Sequence, residues 1–195
     1  MTFDSLQNQF HQIRQQPVGL FILRFSIFWV IWWVAEWLFP QSLQKIDGGI
    51  TQFVTYTSAY LQNWIHGTQV TVGGPHTQEP WCLINNNLSV VRIGDACNGR
   101  NLIVLYLSFL LSIPIGDFEN KMVFAITGVV FILLMNILRI YGLFQVALTA
   151  PEFFQFLHKY LFQSFIYIDM FILWRSYLTL EIKSKIKSNL NVQGA

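Results

Sequence analysis

Of the 195 residues in this chain, 53% are hydrophobic and 16% aromatic, but only 11% are charged, whereas a soluble domain carries about 25% charged residues. With a mean hydropathy of +0.44, that composition excludes an ordinary water-soluble globule and makes the lipid bilayer the expected partner. A formal net charge of only +2, with no run of Lys and Arg interleaved with aromatics, excludes a nucleic-acid partner. A membrane protein of this length has no room for a large soluble catalytic domain.

Four segments reach the length and apolarity of a spanning helix: Val18 to Phe39, Leu102 to Ile115, Met122 to Leu148 and Phe153 to Trp174. The first is longer than the apolar core of a secretory signal, and Trp32, Trp33, Glu36 and Trp37 do not resemble a small-residue cleavage site. The expected fold is therefore an all-α integral membrane protein forming one membrane-embedded domain of about four transmembrane helices. Arg14, Arg24, Lys121, Arg175, Lys183, Lys185 and Lys187 gather on one side, and such an excess marks the cytoplasm. Both termini are expected there, with residues 181–195 forming a polar, basic and mobile tail.

The loop from Pro40 to Asn101 is then exterior. Within it Phe53, Tyr56, Tyr60, Leu61, Trp64 and Ile65 recur at helical spacing, leaving Gln52, Thr55, Ser58, Gln62 and Asn63 on other faces. This predicts an amphipathic helix lying on the membrane surface and ended by Gly67. Thr68 to Val72 reads as a strand, and Trp81 to Ile84 and Leu88 to Ile93 as a hairpin turning at Asn85-Asn86-Asn87. The hairpin leads into Gly94-Asp95-Ala96-Cys97 at the membrane surface.

Reactive side chains converge at one depth. Cys97 precedes the second span at its exterior end. Arg139 lies 17 residues beyond Met122, a climb of about 25 Å at about 1.5 Å per residue. His158 falls on the second turn of the fourth span, whose start is marked by the capping-box spacing of Thr149-Ala150-Pro151-Glu152. Three chemically competent groups from three helices thus meet at the exterior face. A thiol attacks as thiolate, which a helix N-terminus or a cation favours. His158 can take the thiol proton and return one to a leaving amine. Arg139 is suited to face the oxyanion of a tetrahedral intermediate, and Asn136, one turn below it, to hold the guanidinium or a substrate backbone.

Ala96-Cys97-Asn98-Gly99 at a helix start, Asn136-Ile137-Leu138-Arg139 near the exterior end of the next helix, and His158 opening the helix after it resemble the exosortase and archaeosortase family. The resemblance covers about Val90 to Trp174. It implies a thiol protease or transpeptidase of the prokaryotic cytoplasmic membrane that works on its periplasmic or exterior side. Cys97, Arg139 and His158 would be catalytic there, with Asn136, Asn98 and Gly99 supporting them or binding substrate. The implied partner is an exported protein whose C-terminus carries a sorting motif, a transmembrane helix and a basic tail. Where the family often has a hydroxyl residue after the cysteine, this chain has Asn98.

Other readings stay open on the residues alone. Cys82 and Cys97 can pair as a disulfide in an oxidising compartment. Arg139 can snorkel to head groups, and Asn136, Arg139 and Asp169 can line a polar path in a transport or channel component. The chain can also serve as a noncatalytic assembly subunit. His and Cys spacings place no ligand set on one helix face, so neither metal nor other cofactor is expected. His11, His66 and His76 receive no role. The matching depths of Arg24 and Asp169 predict a buried ion pair between the first and fourth spans.

Overall fold

The computed structural model describes residues 17–74, 81–94 and 97–193, the side chains of 163 and 184–193 excepted. His11, His76, Asp95 and Ala96 lie outside the described residues. The protein is mostly helical with a small three-stranded sheet. Helix α1 (Pro17–Leu38) passes almost directly into α2 (Pro40–His66). Strands β1 (Thr71–Gly73), β2 (Trp81–Asn85) and β3 (Leu88–Ile93) follow, then α3 (Arg100–Ser112) and α4 (Phe118–Thr149). A 3-10 turn (Pro151–Phe153), one α turn (Phe154–Phe156) and a π turn (Leu157–Leu161) then lead into α5 (Phe162–Gln193). Two helices, α1 and α4, are long and apolar enough to cross a membrane. Helix α3 is apolar but has only 13 residues.

Two hydrophobic cores are stacked along α4. The lower joins Tyr106 and Leu110 of α3, Ala125 and Ile132 of α4, and Met170 and Tyr177 of α5. The upper joins Val54 and Ala59 of α2, Leu83, Val91 and Ile93 of the sheet, and Ile137, Ile140 and Phe144 of α4. Close approach in the lower core depends on Gly128, where an added Cβ would run into the Tyr106 ring. At the bottom, the Tyr177 hydroxyl donates to the Ile115 carbonyl at 3.0 Å.

The sheet is antiparallel in the order β1-β2-β3. Asn86 and Asn87 both adopt positive φ, 50° and 63°, the left-handed pair of a two-residue hairpin turn that Asn tolerates well. Leu83 faces Val91 while Ile84 faces Ser89, which leaves Val90 as the extra residue of a bulge.

Helix α2 departs most from the sequence reading. It starts at Pro40, whose fixed φ suits a first helical turn, and ends at Gly67 in the left-handed conformation, as expected. The aromatic face is present, but its opposite face meets protein instead of water: Thr51, Thr55, Ser58 and Gln62 are buried, while Phe53, Tyr56, Tyr60 and Trp64 are exposed. Gln62 explains the preference. Its Nε2 donates to the Tyr141 carbonyl at 3.0 Å and its Oε1 accepts from Gln145 Nε2 at 2.7 Å, so burial leaves neither end of the amide unpaired.

Two further expectations are corrected, and the C-terminal segment gains a defined backbone. No capping box opens the last helical segment: the Thr149 hydroxyl donates back to the Gln145 carbonyl at 2.9 Å, and the chain enters through the 3-10 turn. The 181–195 segment is helical as far as Gln193, anchored by buried Glu181, which accepts from Asn120 Nδ2 at 3.0 Å. Arg24 and Asp169 form no ion pair: Arg24 is exposed, and Asp169 Oδ2 is buried without a hydrogen-bond partner among the described residues.

Candidate active site

Between the two cores, the segment joining β3 to α3 carries Cys97. Its N–H donates to the Gly94 carbonyl at 2.8 Å, and its carbonyl accepts from Asn136 Nδ2 at 2.9 Å. Gly99 follows at φ 88°, a left-handed turn that glycine adopts without strain. The Gly99 carbonyl then takes the N–H groups of Leu102 and Ile103, starting α3.

Asn98 locks this segment from behind and is 1% exposed. Its Nδ2 donates to Asp47 Oδ1 at 2.9 Å and approaches the Thr51 hydroxyl at 3.3 Å, while its Oδ1 accepts from the Arg100 N–H at 2.8 Å. Arg100 in turn bridges Asp47 at 2.7 Å and Glu36 at 3.1 Å, and lies 5.7 Å from the Trp32 ring centroid. One polar cluster thus ties α1, α2 and the start of α3 to the residue beside the thiol. Asp47, Glu36 and Arg100 were missed as site-supporting residues in the sequence. The signal that was there is an Asp in a helix of otherwise mostly uncharged residues, which needs a partner once buried.

The reactive groups meet at His158. Its Nε2 lies 3.6 Å from Cys97 Sγ and 3.3 Å from Arg139 Nη2. The imidazole stacks on Phe154, with ring centroids 5.9 Å apart and planes 5° from parallel. It sits in the π turn, an irregularity that recurs at functional sites. Because guanidinium only donates, its contact requires a lone pair on Nε2, placing the ring proton of the neutral form on Nδ1. The same lone pair is the one a thiol proton must reach.

Arg139 is 8% exposed and Asn136 fully buried. Asn136 holds the Cys97 segment rather than the guanidinium, and its Oδ1 has no hydrogen-bond partner among the described residues. Of the six residues expected at the site, Cys97, Arg139 and His158 are brought together, and Asn98, Gly99 and Asn136 shape the cysteine segment. Asp169 does not line the cavities at the trio. His66 has a partner, Tyr141, whose hydroxyl is 2.9 Å from its Nε2. Cys82 is buried in β2, and both cysteines are free thiols. No group of three or more His, Cys, Asp or Glu able to hold a metal ion occurs among the described residues.

Cavities of about 460 and 210 Å³ flank the trio, and Cys97, Arg139 and His158 line both. No family model, curated protein or solved structure matches this chain.

Proposed function

We propose that this protein is a membrane-embedded cysteine transpeptidase or protease of the exosortase kind, which cleaves the C-terminal sorting signal of an exported protein through a thioester. One observation carries the reading: a thiol and a guanidinium converge on one imidazole nitrogen beside a cavity large enough for several side chains. In this reading α1, α3, α4 and α5 are the four spans, both termini are cytoplasmic, and the trio works at the exterior face of a prokaryotic cytoplasmic membrane. Helix α4, at 32 residues or about 48 Å, exceeds the about 30 Å hydrocarbon layer, so its upper part stands outside with the sheet.

The chemistry follows from the shared lone pair. When substrate arrives, Arg139 leaves Nε2 for the carbonyl oxygen, and the freed nitrogen takes the Cys97 proton. Sulfur attacks the carbonyl carbon, and Arg139 faces the oxyanion that forms. Imidazolium then gives its proton to the departing amine as the C–N bond breaks, leaving a thioester. Water or a second nucleophile releases the acyl group by the same steps in reverse order.

The test pairs the protein with an exported protein ending in a short motif, one apolar helix and a basic cluster. Cys97→Ser should accumulate in membranes and leave that partner uncleaved, with loss of the hydroxylamine-sensitive adduct formed by the parent. Unchanged processing by Cys97→Ser would leave a noncatalytic assembly role and overturn the proposal.

A further inference from the structure

The larger cavity is a wedge. At its foot Phe21 of α1, Phe109 of α3 and Trp174 of α5 close together: the Phe21 and Phe109 centroids are 5.0 Å apart edge to face, and the Phe109 and Trp174 rings stack at 3.9 Å. Above that contact, Trp29, Leu105 and Tyr167 from the same three helices line the cavity, with Leu102, Gly99 and Asn101 nearer Cys97. Trp29 is eight residues beyond Phe21 and Tyr167 seven before Trp174, so the walls rise about 10 to 12 Å above the aromatic floor. One wall is α1, which buries none of its residues in the protein.

The smaller cavity lies on the sheet side. Arg92 and Ile93 of β3, Leu143 of α4, and Phe154 and Gln155 line it. It adjoins the upper core and the sheet, whereas the wedge opens between α1, α3 and α5 beside the lower core. The three reactive residues form the partition between them.

From this we infer that the two cavities are the two halves of one peptide-binding track: the wedge takes the apolar residues that follow the reacting carbonyl, and the sheet-side cavity takes the extended residues that precede it. The assignment of direction rests on the proposed function, because a donor held by a C-terminal membrane segment must enter the wedge with its C-terminal side. Arg92 and Gln155 are then the residues that read the motif, and Leu105 and Tyr167 those that accept the start of the apolar segment.

Two affinity labels test the direction without turnover. Chloroacetyl-trileucine amide carries its residues after the reactive carbon, and an acetyl-tripeptide chloromethyl ketone carries them before it. In each, a Cys97 sulfur–carbon bond forms, chloride leaves, and the thiol proton passes to His158. With the purified full chain, Leu105→Trp should slow the trileucine label at least tenfold while leaving the chloromethyl ketone and plain chloroacetamide within twofold. Gln155→Trp should do the reverse. Should Leu105→Trp fail to fold, Leu102→Trp fills the same wedge from one turn nearer Cys97. Reversed selectivity would overturn the direction, and equal slowing of all three reagents, or no slowing, would overturn the divided track. These rates need only the thiol and the cavities, so they can fail while Cys97→Ser still abolishes processing, and the converse.

Discussion

At the scale of single residues, the arrangement around His158 separates two roles that sequence alone left merged. Arg139 reaches Nε2 with one end of a planar donor fork, so its charge and its geometry are both in use. Arg139→Lys should insert and accumulate as the parent does yet process substrate at least tenfold more slowly, a loss of about 1.4 kcal/mol in transition-state stabilisation. Parent-level processing by the Lys variant would reduce Arg139 to an interfacial anchor. Behind the thiol, Asp47 is the shared acceptor for Asn98 and Arg100. Asp47→Ala takes the strongest acceptor from a buried amide and leaves Arg100 with Glu36 alone, and should cost about 1 to 3 kcal/mol of stability. It should also slow chloroacetamide labelling of Cys97 under conditions where the protein stays folded. A melting temperature and labelling rate equal to the parent's would contradict the anchoring role.

At the scale of elements, legibility followed the range of the interactions involved. The hairpin, its Asn turn and the Gly67 stop are set by neighbours in sequence, and they could be read. The trio could be placed because helix rise converts residue number to depth. What could not be read depended on distant partners. The buried face of α2 is polar because Gln62 finds Tyr141 and Gln145, 79 and 83 residues away, and Asp47 is satisfied by residues 51 and 53 positions later. Hydrophobic periodicity shows that a helix has two faces without telling which one meets protein. The Arg24 and Asp169 pairing failed for a related reason, since equal depth fixes one coordinate and leaves rotation about each helix free. The contact between α3 and α4 was likewise invisible, although it makes a firm prediction. Gly128→Ala places a methyl against the Tyr106 ring and should lower stability by about 1 to 3 kcal/mol. Combining it with Tyr106→Leu should recover part of that loss, and strictly additive losses in thermal melts would argue against the contact.

At the scale of the whole molecule, α4 is the mast to which both cores are fastened, and Asn136 and Arg139 occupy the level where one core gives way to the other. The proposed orientation makes the two ends of this helix distinguishable. In a Cys97→Ser background, Leu148→Cys should react with a membrane-impermeant maleimide added to intact cells, whereas Glu119→Cys should react only after permeabilisation. The opposite pattern would invert the protein in the membrane. The wedge and the sheet-side cavity meet at that level, where Cys97, Arg139 and His158 line both, so an extended chain occupying the two passes the thiol.

The π turn at Leu157–Leu161 has a consequence for how this helix can change. A π turn is in effect one residue inserted into an α-helix, and each α-helical residue turns the chain by about 100°. Deleting a single residue there would restore regular winding but rotate the two flanking stretches against each other. If Ile166, Met170 and Tyr177 kept their places in the protein interior, His158 would swing off the Cys97 side; if His158 kept its place, those three would turn out of it. Single-residue insertions and deletions in this turn are therefore a coarser kind of change than any substitution in it, and a lineage that lost the extra residue would have to rebuild either the His158 contact with Cys97 or the core.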